Sequence, residues 1–162
     1  MAPWRRGAIG CAVAIAGILW TMAPASAQNV QIGALTDLSF GTVASVTANA
    51  TVSENLCVYS SAGSYSVRAT GSGTNSSFAL LNGAVQMPYT VQWAANGSQT
   101  SGTQLTAGQA TRFTPTGLNI LCSLGSLLAG SATLLVTLPA ASLSAAQAGS
   151  YSGTLTLLVS PN

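Results

Sequence analysis

Histidine and lysine are absent from this chain, and charge of either sign is scarce. Beyond residue 27 the ionisable side chains of the usual catalytic set are Asp37, Glu54, Arg68 and Arg112. Without an imidazole or an amine, most proton-transfer and nucleophile-activating chemistry has no carrier, and zinc loses its commonest ligands. Two carboxylates are too few for a calcium cage. They would suffice for a glycosidase pair in principle, but Asp37 reads as a turn residue and Glu54 as a solvated strand residue. Two arginines do not make a nucleic-acid surface, which needs a basic patch. No cofactor motif stands out: Gly71-Ser72-Gly73 lacks the lysine and the following helix of a phosphate loop and reads as a turn. The expectation is a protein that is not an enzyme, binds no metal, cofactor or nucleic acid, and works by packing and backbone contact.

What is present begins with an address. Arg5 and Arg6 form a basic head, Gly7 to Met22 is an uncharged and mostly apolar run, and Ala25-Ser26-Ala27 supplies a small-x-small cleavage site. Together these describe a secretory signal peptide over 1–27, removed ahead of Gln28. The competing reading, a membrane anchor, asks for about 20 apolar residues; this run is shorter and ends in a cleavage site. Residues 28–162 are then one exported domain with no membrane span. Cys11 falls inside the leader, leaving Cys57 and Cys122. An even pair in an exported chain reads most simply as one disulfide. The alternative, a reactive thiol, lacks a histidine base.

Residues 28–162 carry strand signals and few helical ones. Val30, Ile32, Leu35, Leu38 and Phe40 open the domain, with Gly33 and Gly41 as bulges or turns. Thr47 to Ser60 reads as a strand with Val52, Leu56 and Val58 on one face and Cys57 and Tyr59 on the other. Tyr65, Val67 and Ala69 alternate with Ser66, Arg68 and Thr70. Phe78 to Leu81 ends at Asn82-Gly83, a hairpin signal. Val85, Met87, Tyr89, Val91 and Trp93 form the clearest alternation, with Pro88 marking an edge or bulge. Tyr89 and Trp93 read as core rather than as a sugar-stacking platform. Gln104 to Thr114 predicts one or two short strands, Ala132 to Leu138 a strand, and Ala140 to Gln147 a helical turn. The chain closes on Tyr151, Gly153, Leu155, Leu157 and Val159, alternating with polar residues. Asn49-Ala50-Thr51, Asn75-Ser76-Ser77 and Asn96-Gly97-Ser98 match the glycosylation triplet by chance in a Ser/Thr-rich chain. Short strands with turn signals every 8–12 residues predict an all-β sandwich.

Leu38-Ser39-Phe40-Gly41, Cys57-Val58-Tyr59-Ser60, Tyr65-Ser66-Val67, Pro88-Tyr89-Thr90-Val91 and Ala148-Gly149-Ser150-Tyr151-Ser152-Gly153-Thr154-Leu155 together resemble the spore coat protein U domain family, which includes the pilins of archaic chaperone–usher systems. The resemblance covers essentially all of 28–162. It implies an immunoglobulin-like sandwich lacking its last strand, held in the periplasm by a chaperone, passed to an outer-membrane usher and joined to neighbouring pilin subunits by donor-strand complementation. On that reading Leu155, Leu157 and Val159 line one wall of an open groove, filled by a strand of another polypeptide or, alternatively, by an N-terminal segment of the same chain, and the protein ends at the cell surface in a fibre serving adhesion, biofilm or coat. The family's pilins carry a donor strand ahead of a cysteine upstream of the L-x-F-G segment. Residues 28–37 hold no cysteine, so Cys57 is left with Cys122, and this segment has little length to donate. A subunit that accepts a strand without giving one follows. The alternative is a self-contained secreted sandwich that binds a ligand, carbohydrate for example, through exposed aromatics and polar loops.

Overall fold

The computed structural model of the chain describes residues 28–115, 122 and 130–162. The leader over 1–27, and all of the apolar stretch before Gly125 except Cys122, lie outside those residues. Strands β1 (Val30–Gly33), β2 (Ala50–Ser60), β3 (Tyr65–Thr70), β4 (Ala79–Asn82), β5 (Val85–Pro88), β6 (Thr90–Ala94), β7 (Thr103–Gln104), β8 (Ala110–Phe113), β9 (Ala132–Leu138) and β10 (Thr156–Pro161) follow one another, with a six-residue helix α1 (Ala140–Ala145) between β9 and β10. All pairings are antiparallel. One sheet runs β1-β2-β9-β6-β7, a second β10-β3-β8, and β4-β5 form a hairpin beside them. The fold is an all-β sandwich.

The alternating apolar sets meet between the sheets. Leu56 and Val58 of β2, Leu134 and Val136 of β9, and Val91 and Trp93 of β6 pack with Tyr65, Val67 and Ala69 of β3 and Phe113 of β8, all buried. Three rings anchor the centre. The Trp93 Nε1–H donates to the Tyr65 hydroxyl at 3.1 Å. The Tyr65 and Trp93 rings meet edge to face at 6.4 Å between centroids, a favourable quadrupole arrangement. Phe113 lies 6.1 Å from Tyr65 and 6.3 Å from Trp93. Burial raises the Tyr65 hydroxyl above its ordinary value of 10.0, with the bond from Trp93 opposing the shift. Tyr89 is also raised by burial.

Several elements depart from the sequence reading. The alternation from Val85 to Trp93 is two strands: β5 ends at Pro88, which has no N–H for a ladder, and the Tyr89 N–H bonds the Phe78 carbonyl before β6 turns to β9. The hairpin of β4 and β5 pairs Asn82 with Val85, so its tip is Gly83-Ala84, with Gly83 at φ 59°. The opening strand is short. It stops at Gly33, and Ala34 at φ 61° turns the chain off the sheet edge. Residues 34–49 carry Leu35, Leu38 and Phe40 without joining a sheet.

Candidate functional site

Strand β10 sits at the margin of its sheet and pairs only with β3 among the described residues. Its free side can be assigned atom by atom. The register pairs Ser66 with Ser160 and Arg68 with Leu158, and the Asn162 N–H continues it by donating to the Ser64 carbonyl. On the opposite edge of β3 the Ala69 carbonyl accepts from Gly108. Backbone groups in a strand point alternately to its two edges. Even-numbered residues of β10 therefore direct N–H and C=O to β3, and Leu157, Val159 and Pro161 direct theirs outward. Proline at the outward position fits, because its missing N–H is one that no ladder among the described residues uses. Ser152 exchanges both backbone bonds with Leu81, so the even-numbered side is covered ahead of β10 as well.

Beside this margin lies an open groove of about 1150 Å³. The inner face of β9 contributes Leu134, Val136 and Leu138, and the segment leading into β10 contributes Leu155 and Leu157. Leu38, Phe40 and Val43 come from residues 34–49, a strap that lines the groove and makes no backbone-to-backbone bond to any strand among the described residues. Leu155 and Leu157 are half-buried against the core. Val159 is half-buried too but lies beyond the groove lining, and Leu155 precedes β10 by one residue. Exposed Leu158, at 59 %, points away on the outer face.

One groove residue overturns its sequence assignment. Glu54 was expected to be solvated, but it shares parity with Val52 and Leu56 and pairs across the sheet with Leu134. Its side chain therefore turns to the inner face, where it lines the groove. Oε1 accepts from the Thr36 N–H at 2.6 Å and from the Thr36 hydroxyl. Oε2 is buried with no hydrogen-bond partner. The signal was visible in the sequence: residue 54 falls on the apolar parity of its strand. Asp37 also lines the groove, from the exposed strap.

Cys57 and Cys122 are joined in a disulfide with Cα atoms 5.6 Å apart. Cys57 faces away from the core at the point where Gly33 pairs with it, so the crosslink fastens the β1–β2 edge to the chain ahead of β9. Tyr89 and Trp93 are buried, which removes them as a stacking surface. Among the described residues no cluster of His, Cys, Asp or Glu could hold a metal. None of the described helices is long and apolar enough to cross a membrane.

Neither a protein-family model nor a curated protein matches the chain. A solved structure does: a chain of the work titled "Chaperone-tip adhesin complex is vital for synergistic activation of CFA/I fimbriae biogenesis" superposes with a TM-score of 0.54 at 19 % identity. The match covers 83 % of this chain and 42 % of that one, so this chain spans less than half of that protein's length. This protein is thus similar in fold to a component of a fimbrial chaperone–adhesin complex.

Proposed function

We propose that this protein is an exported structural subunit of a surface fibre that accepts a strand from another polypeptide along β10. The observation that carries the reading is the outward edge of β10, unpaired among the described residues, beside a groove with leucines on one wall. An exposed strand edge with an apolar face invites association unless it is covered. Strand addition is the economical cover, because its backbone bonds supply affinity and the alternating pockets supply register. Leu155 and Leu157 form the groove side of this acceptor and Val159 extends it. The resemblance to the spore coat protein U domain and the fold likeness to a fimbrial complex both support the reading. They suggest a periplasmic chaperone as the first occupant, an outer-membrane usher as the assembly platform and a neighbouring subunit as the final one.

β1 lies in register on its own β2, which commits Val30 and Ile32 to this domain. That favours a subunit that receives a strand without lending this one, as at a tip or terminus. The scarcity of catalytic side chains makes an enzymatic role unsupported. The test is co-expression of the exported chain with a candidate chaperone from a chaperone–usher system. A one-to-one complex, and a chain that aggregates without it, are the expected result. A cooperative monomer with no affinity for chaperone or strand peptide would refute the reading.

A further inference from the structure

We propose that Glu54 selects the occupant of the groove, and that this occupant is a strand of a different protein carrying a lysine or arginine at the position that meets the Glu54 carboxylate. The inference rests on the strand-acceptor reading and adds the identity of the partner to it.

Four observations converge. The β2–β9 register fixes Glu54 on the inner face, with Leu134 as its cross-strand partner and Val52 and Leu56 on the same parity of β2. One oxygen is held by Thr36, and the other is buried without a partner. A buried carboxylate oxygen left unsatisfied is costly, and a cation with N–H donors is its strongest complement. Next, both carboxylate side chains of residues 28–162, Asp37 and Glu54, line the same groove. Finally, this domain cannot neutralise them. Arg68 is exposed on β3, opposite outward-facing Leu158, and Arg112 on β8 donates to the Ser64 hydroxyl at 3.0 Å. Both arginines belong to the ladder of the smaller sheet, and no lysine exists in the chain. A second copy therefore has no basic strand to offer from residues 28–162, and the cation must come from another polypeptide.

The experiment uses synthetic strand peptides of alternating valine and threonine. One neutral peptide serves as reference, and in the others a lysine replaces each inward-facing residue in turn. Affinity for residues 28–162 is read by fluorescence anisotropy on the unaltered chain, Glu54→Gln and Asp37→Asn. One lysine register is expected to bind the unaltered chain about tenfold or more tighter than the neutral peptide, the scale of a charge-assisted bond in a desolvated site. That advantage should vanish in Glu54→Gln and survive in Asp37→Asn. Unchanged affinity of Glu54→Gln for the neutral peptide shows that its groove is intact. The proposal is overturned if no lysine register exceeds the neutral peptide, or if the lysine advantage survives Glu54→Gln. It is also overturned if the chain fills its own groove by self-association. Binding of the neutral peptide without a lysine advantage rejects the role of Glu54 and leaves the acceptor standing. Binding of no peptide rejects the acceptor, and the proposal with it.

Discussion

Proline substitution on β10 separates its two edges by one residue. Val159 directs its N–H outward and Leu158 directs its N–H to the Arg68 carbonyl, by the register and alternation of the β10–β3 ladder. Val159→Pro removes a donor that no strand among the described residues uses. The residue before it is already extended, as proline requires, so the free domain should lose only about 1 kcal/mol, within the range for tolerated edge changes. Leu158→Pro deletes a ladder bond of about 1 kcal/mol and strands a carbonyl on the middle strand of its sheet at a further ~1–3 kcal/mol. The sum is ~2–4 kcal/mol. Urea unfolding read by Trp93, the single tryptophan of residues 28–162, measures both. Affinity for a complementing strand should invert the order. Val159→Pro takes a donor from the new ladder and leaves the incoming carbonyl unpaired, which predicts a loss of about 10–100-fold. Leu158→Pro should weaken capture only as far as it unfolds the domain. If Val159→Pro unfolds the domain as severely as Leu158→Pro, or leaves capture unchanged, the assignment of edges is wrong.

Replacing both Cys57 and Cys122 by serine should destabilise the domain by ~4 kcal/mol on the chain-entropy model for a loop of this span, measured by denaturant unfolding against the oxidised chain; the bond spans 65 residues. An unchanged midpoint would refute a structural role for the crosslink. Leu157→Asp should abolish strand capture while leaving export intact, because a carboxylate would enter the groove unpaired; retained capture in a pull-down with the chaperone would count against the groove. Alkaline pH should destabilise the domain. Tyr65 and Tyr89 are raised by burial above 10.0, so the unfolded chain ionises first. Their stabilising contribution is complete below about pH 10 and is lost as pH climbs through the higher folded values. The double variant Tyr65→Phe/Tyr89→Phe should flatten that decline in thermal melts between pH 9 and 11, and an unaltered slope would contradict the assignment.

Local rules carried much of this fold into the sequence. Ala132 to Leu138 is a strand bounded by Pro139 and a following helical turn, because an apolar run carrying the β-branched Thr133, Val136 and Thr137 meets a residue that ends the ladder. The core parity of β2 and β3 was equally legible from period-two alternation. What escaped were choices made between distant segments. Alternation across Pro88 looked continuous, since Met87, Tyr89, Val91 and Trp93 are all buried, yet β5 and β6 pair with different partners. Leu38 and Phe40 alternate as a strand would, but Ala34 has already turned the chain from the β2 edge. Glu54 was read by its charge when its parity with Val52 and Leu56 was the better guide. The chain's last alternating run is legible as a strand, and its place at the margin of a sheet comes from the topology. Which of its atoms face outward required the register.

Amide exchange along β10 addresses the vacant edge most directly. In the uncomplexed domain the Leu157 and Val159 amides should exchange at near-solvent rates while those of Leu158 and Ser160 are protected, and both outward amides should slow sharply once a chaperone or donor strand is bound. Slow exchange at Leu157 and Val159 in the uncomplexed monomer would mean that the edge is already paired, and would contradict the account.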